Sequence, residues 1–360
     1  MRWSELGAGA LKARLLSWGR IHIPPGALPP FSLSLSTAGP GAGSISVFLE
    51  VRGSLVRLDA VRVRGAIRDC SLKPNKRRCR DPPVLERKTG KFRLIRGGAV
   101  LAGDVKVVPP GLHAPRQAFI SIHNVCRYRC AFCALPHIPR KPRTPLDRWL
   151  EIVLDAVSRK RVDAIALTTG IPASPAAASL ELARFVRSLR ASLPEIPIGV
   201  EPYTTSRKDI EMLYSAGATE LKLNIQCATE RLMKRICPGL DWKGVWRALE
   251  VGTATFGKNR VCSNLILGLG ETDQEVTEAA ERLAGMGALV NLRPLRINPL
   301  NIRPLRNALG REPAPVPAQR ILRLAAVQKG IFSEHSLRPS LFRTMCHRCT
   351  ACELEPFRDV

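Results

Sequence analysis

From residue 117 onward the chain repeats one rhythm: a short apolar run, a turn, then a stretch with helical spacing. Residues 118–122, 162–167, 196–200, 220–226, 260–267 and 289–297 read as strands. Residues 146–157, 176–192, 208–216, 242–253 and 274–285 read as helices, and Asp147 is placed to cap the first of them. Strands that alternate with helices run parallel, so six such units predict an α/β fold whose sheet curls into a partial barrel. In folds of this kind ligands collect at the C-terminal ends of the strands.

The first third of the chain is patterned differently. A helix is expected over residues 6–18, followed by a Pro/Gly/Ser-rich stretch, residues 24–43, with the composition of a linker. Ile45, Val47, Leu49 and Val51 then alternate with polar neighbours, Gly53-Ser54 supplies a turn, and Val61 and Val63 alternate with Arg62 and Arg64. That is a hairpin signature, and residues 92–101 add further strand. The expected organisation is a helix and linker (1–43), a small basic β-rich domain (44–115), a (β/α)6 partial barrel (116–305) and a C-terminal extension (306–360).

A chain of 360 residues can bury a barrel-sized core and one smaller domain. No uncharged apolar run approaches the ~20 residues that span a bilayer. Lys12, Arg14 and Arg20 interrupt the apolar positions of the first 35 residues, so no signal-peptide core is expected there and the protein reads as cytoplasmic. The net charge is +26, and residues 1–115 hold half of it, with 20 basic and 7 acidic side chains. The densest patch is Lys73, Lys76, Arg77, Arg78, Arg80, Arg87, Lys88, Lys91, Arg93 and Arg96. Such a field attracts RNA or an acidic protein, unless it only reflects a basic proteome. Phe92 is its one aromatic, which weakens a base-stacking role.

Six of the 11 cysteines fall in two triplets. Cys126, Cys130 and Cys133 follow the first barrel strand at C-x₃-C-x₂-C spacing; Cys346, Cys349 and Cys352 form C-x₂-C-x₂-C near the C-terminus. Three thiolates that close together can hold three corners of a [4Fe–4S] cubane, leaving one iron open to a small molecule. Zinc is the alternative at both triplets, with His123 or His137 near the first and His347 in the second. Adjacent residues chelate poorly together, which favours a cluster over a Cys346/His347 zinc site. Cys70, Cys79, Cys227, Cys237 and Cys262 are scattered and read as small buried hydrophobes.

The first triplet, the turn Thr168-Thr169-Gly170 and the strand Asn264-Leu-Ile-Leu-Gly268-Leu-Gly270-Glu271 together resemble the radical SAM superfamily. The resemblance runs over roughly residues 115–352, strongest at the cysteine loop and the fifth strand, where Asn264 stands in place of a glycine. Residues 293–300, Arg-Pro-Leu-Arg-Ile-Asn-Pro-Leu, are similar to the biotin synthase and lipoyl synthase branch, as is Leu-Gly-Leu-Gly-Glu-Thr272. The resemblance implies a [4Fe–4S] cluster on Cys126, Cys130 and Cys133 that binds S-adenosylmethionine (SAM) and cleaves it to a 5′-deoxyadenosyl radical. Thr168, Thr169 and Gly170 would receive the SAM amino group, unless they are an ordinary βα turn. Glu201 would accept from the ribose hydroxyls, unless it is a surface carboxylate. The Phe132 backbone would face the adenine, Gly268 would let the chain approach it, and Glu271 would anchor that turn. Asn224 and Gln226 alternate on the fourth strand and are expected to face the lumen.

In sulfur-inserting members an auxiliary [4Fe–4S] cluster supplies the sulfur, the role this resemblance implies for Cys346, Cys349 and Cys352. The position of the triplet is closer to archaeal two-component lipoyl synthases than to bacterial ones, which implies a second radical SAM subunit. Further implied partners are an acidic lipoyl carrier protein bearing an octanoyl chain and a low-potential ferredoxin or flavodoxin. The alternative is a radical SAM enzyme that modifies tRNA or another nucleic acid. A two-cluster electron carrier is the non-enzymatic reading, though six βα units are far more scaffold than electron transfer needs.

Overall fold

The structure, a computed structural model, describes residues 6–35, 44–61, 82–139 and 142–360. Cys70, Cys79, Val63 of the expected hairpin, and Lys73, Lys76, Arg77, Arg78 and Arg80 of the basic patch lie outside them. Among the described residues the amino-terminal sheet has seven strands: β1 (Arg20–His22), β2 (Leu33–Leu35), β3 (Ile45–Val51), β4 (Ser54–Val61), β5 (Val84–Lys88), β6 (Lys91–Arg96) and β7 (Ala99–Val107). Their order is β2-β3-β4-β1-β5-β6-β7, and β7 pairs back onto β3, so the sheet closes on itself. Its core is Val47, Leu49, Val56, Leu58, Leu85, Leu94 and Leu101, with Leu11 and Leu15 from the helix Ala8–Trp18 covering it. Arg52 and Gly53, both at positive φ, make the two-residue turn that joins β3 to β4.

Residues 1–43 therefore contain more than a helix and linker. β1 inserts between β4 and β5, parallel to both, and β2 extends the edge beside β3. Each is three residues long. Strands that short carry no usable alternation, and the partners of β1, Asp59–Val61 and Val84, lie far along the chain.

The second sheet follows the expected rhythm. A short β8 (His113–Ala114) runs antiparallel to β9 (Gln117–Ser121). Then β9, β10 (Ala164–Thr168), β11 (Ile198–Glu201), β12 (Glu220–Lys222), β13 (Val261–Leu267) and β14 (Leu289–Pro294) pair in sequence order, all parallel. Every residue of β10 is buried, as a strand covered on both faces must be. Side chains of Ser174, Ser206, Thr229, Asp241 and Thr272 each accept from a backbone N–H three residues on, which starts the following helix. Asp147 is not such a cap: it lies inside the first turn of Leu146–Ser158, after Pro145. The fourth strand ends at Lys222 rather than 226. Beyond it the Ile225 N–H turns to the Ser263 hydroxyl at 2.9 Å, and Gln226 takes a positive φ.

The C-terminal segment enters this half-barrel from the N-terminal ends of its strands. Glu220 of β12 accepts from the Arg343 N–H at 2.7 Å and pairs with Arg260 at 3.1 Å. The side-chain amide of Gln117, on β9, donates to the Met345 carbonyl at 3.2 Å and accepts from the Met345 N–H. Thr344 is packed against β11 at Gly199, where a Cβ would lie 2.1 Å from the threonine hydroxyl. Only glycine leaves room for the chain at that point. The second cysteine triplet is thereby delivered into the lumen.

Candidate active site

The chain leaves β9 into the loop that carries the first triplet. Its course is fixed by backbone bonds: Gly170 N–H to His123 O at 3.0 Å, Arg127 N–H to Ile171 O at 2.7 Å, and Ala131 N–H to Ile236 O at 2.7 Å. A Cβ on Gly170 would lie 2.3 Å from the Val125 carbonyl, so the turn after β10 can touch the cysteine loop only as glycine. Asn301, fully buried, donates to the Phe132 carbonyl at 2.8 Å. Burial raises the Cys126 thiol and pushes Cys133 up to about 12, so metal must displace protons to bind there.

The second triplet stands among cations. Cys346 Sγ receives Arg293 Nη1 at 3.0 Å and Lys222 Nζ at 3.3 Å. Arg293 also pairs with Glu353 at 2.8 Å, and Lys222 with Glu201 at 3.3 Å. Burial pushes Cys349 up to about 12. It pushes Cys352 the same way, but Arg293, Arg57 and Arg296 more than offset it and hold that thiol below its ordinary value. His347 is turned aside: Asn291 contacts its Nε2 at 3.2 Å, Phe342 lies 5.1 Å away, and desolvation lowers its pKa to about 4.

Both triplets line one cavity of about 270 Å³. Of the residues expected at the site, Phe132, Thr168, Thr169, Gly170, Glu201 and Asn264 also line it, as do Asn224 and Gln226. Glu201 is not a surface carboxylate, because Asn224 donates to it at 2.7 Å beside Lys222. The Phe132 carbonyl is taken by Asn301. Gly268 and Glu271 are not in the lining: Glu271 accepts from the Gly268 and Leu269 N–H groups at 2.7 and 2.8 Å and pairs with Arg320. Glu271 thus ties the turn to Arg320, outside the cavity lining. Lys222, Arg293, Tyr203, Gln117 and Arg57 also line it. Lys222 was legible, since it alternates with Asn224 and Gln226 in the sequence.

Two observations test the fit of the cofactors that the sequence motifs imply. Arg57 Nε, Gln226 Oε1 and Asn264 Oδ1 are buried in cavity-lining residues and have no hydrogen-bond partner among the described residues. Such groups call for a polar occupant. No three His, Cys, Asp or Glu side chains among the described residues converge as one metal ion would require. Thiolates of a cubane bind different irons, so a triplet need not converge on one point to hold a cluster.

Residues 120–283 match the Radical SAM superfamily. Among curated proteins, lipoyl synthase of Nitrosospira multiformis is 29% identical over 174 residues, covering 46% of this chain and 52% of that protein. Lipoyl synthase of Nitrosomonas eutropha is 28% identical over 206 residues, covering 54% and 60%. The chain thus spans little more than half the length of these relatives. A solved structure of methylornithine synthase aligns with a TM-score of 0.49 at 15% identity, covering 60% of this chain and 62% of that one. No helix among the described residues is long and apolar enough to cross a membrane. The match to the radical SAM superfamily thus runs over residues 120–283, which contain the cysteine loop and the strand-end turns.

Proposed function

We propose that this chain is a sulfur-inserting radical SAM enzyme of lipoyl synthase type, acting on an octanoyl chain presented by an acidic carrier protein. One observation carries the reading: both cysteine triplets open into the same cavity. When bound, a [4Fe–4S] cluster with SAM at Cys126, Cys130 and Cys133 would supply a 5′-deoxyadenosyl radical, and a second at Cys346, Cys349 and Cys352 the sulfur.

The chain's own residues would bind, orient and exclude water. Thr168, Thr169 and Gly170, beside the first triplet, offer small side chains and backbone groups to an amino acid moiety. Glu201, held by Lys222 and Asn224, keeps a fixed carboxylate in the wall for hydroxyl donors. Gln226 Oε1 and Asn264 Oδ1 offer two further acceptors. Tyr128 and Tyr203, edge to face at 5.1 Å, and Phe132 form an apolar flank suited to a hydrocarbon chain. Arg87, Lys88 and Lys91, exposed at the turn between β5 and β6, give an acidic carrier a surface to approach.

Anaerobic chain reconstituted with iron and sulfide is expected to hold about eight irons, and a Cys346/Cys349/Cys352→Ala variant about four. With SAM and dithionite both should form 5′-deoxyadenosine, while only the first yields a sulfur-bearing octanoyl peptide. Wild type that forms 5′-deoxyadenosine but keeps its full sulfide content and leaves the octanoyl chain unsulfurated would overturn the reading.

A further inference from the structure

The amino-terminal sheet reaches into the cavity through one side chain. On β4, Val56 and Leu58 are buried in the core of that sheet. Arg57 between them must point the other way, out of its own unit, and it lines the cavity with both triplets. Its backbone N–H donates at 2.8 Å to the carbonyl of Ala351, one of the two residues between Cys349 and Cys352 in the C-terminal tail. Phe48, from β3, packs with Cys349 and Ala351, and the Arg57 guanidinium lies 5.7 Å from the centre of its ring.

Among the described residues the guanidinium forms no ion pair like those of its neighbours, although the charge of Asp59 reaches it. Lys222 has Glu201 and Arg293 has Glu353. Asp59, two residues further along β4, is engaged by Arg296, Ser44 and Ser46. Arg57 Nε is buried and has no hydrogen-bond partner among the described residues. A cation drawn out of water needs an anion close by.

We infer that Arg57 is a positioning residue for the second triplet: set beside Cys349 and Cys352, it supplies the countercharge to the thiolates when they carry an iron–sulfur cluster. The inference rests on the reading of that triplet as cluster ligands. It also makes the amino-terminal sheet a part of the site. A cubane on three thiolates is anionic and gains one more negative charge on reduction. A fixed cation beside it favours the reduced form and raises its potential.

The test is a redox titration of the full-length chain, anaerobically reconstituted, followed by electron paramagnetic resonance beside iron analysis. Wild type, Arg57→Gln, Arg57→Lys and the Cys346/Cys349/Cys352→Ala variant are compared, the last to assign the two signals. In Arg57→Gln the midpoint of the second cluster should move to more negative potential while that of the first stays. Arg57→Lys should return it most of the way. Loss of the second signal alone in Arg57→Gln, with retention in Arg57→Lys, supports the same role. An unchanged second midpoint in Arg57→Gln, or equal loss of that signal in both variants, would overturn it. Wild type that assembles a single cluster instead removes the reading of the triplet on which this inference stands.

Discussion

Lys12 and Asp359, at opposite ends of the chain, form a buried ion pair with Nζ 2.6 Å from Oδ2. The same ammonium donates to the Thr350 carbonyl at 2.7 Å, inside the second triplet, and Ser54 donates to the other oxygen of Asp359 at 2.6 Å. The first helix, the amino-terminal sheet and the cysteine-bearing tail are thus tied at one point. Asp359→Ala leaves Lys12 uncompensated in a dry site. Removing one partner of a buried pair costs about 3–5 kcal/mol, so the urea midpoint should fall steeply. Lys12→Met with Asp359→Leu, which removes both charges, should recover much of the loss. Equal destabilisation by the single and double changes would argue that the charge pair is not what holds the tail.

Gly199 sets how deeply the tail can enter. Gly199→Ala would place its Cβ 2.1 Å from the Thr344 hydroxyl and 3.0 Å from the Thr344 Cβ. Both groups are buried, so relief requires a backbone shift, at a cost of about 1–3 kcal/mol. Thr344→Ala in the same chain removes the nearer contact and should restore part of the melting temperature. Because the shift moves Cys346, two residues on, Gly199→Ala should also lower the iron bound at the second triplet, measured against the first by Mössbauer spectroscopy.

Much of this architecture was legible because its signals are local. The six barrel strands are apolar runs flanked by turn residues, whereas the helix starts were less legible: Asp147, expected as a cap, lies inside its helix, and the caps at Ser174, Ser206, Asp241 and Thr272 were not singled out. The triplets were legible because spacing is a property of the chain. What escaped was long-range. The pairing of β1 with β4 and β5 leaves no periodic trace in three residues. The β4 alternation points Arg57 away from the core of its own sheet, but that this face meets Ala351, nearly three hundred positions away, is not written in the local sequence. Gly268 and Glu271 matched a motif, yet they are bonded to each other and to Arg320 outside the cavity lining.

His347 should make the metal-free chain sensitive to acid. Desolvation lowers its pKa from 6.5 to about 4, with Asn291 against Nε2. A histidine whose folded-state pKa is depressed protonates more readily when unfolded. Its contribution is therefore complete above about pH 6.5 and is lost as pH falls through about 4. His347→Gln, which keeps a polar contact for Asn291 and does not titrate, should flatten the urea midpoint across that window. An equal slope in both proteins would place the acid sensitivity elsewhere.

Asn301 ties the first triplet to the segment after β14. It donates to the Phe132 carbonyl at 2.8 Å and the Arg296 carbonyl at 2.9 Å, and its Oδ1 accepts from the Asn298 N–H at 2.9 Å. Asn301→Leu keeps the bulk but strands these groups, at about 1–3 kcal/mol for each one left buried. Phe132 adjoins Cys133, so the loosened loop should bind its iron less tightly. Hydrogen exchange should speed up across residues 126–133 and stay as in wild type across 346–352. Iron should be lost from the first triplet at lower chelator concentration than from the second. Uniform acceleration over both segments would mean that Asn301 stabilises the fold as a whole instead of holding the cysteine loop.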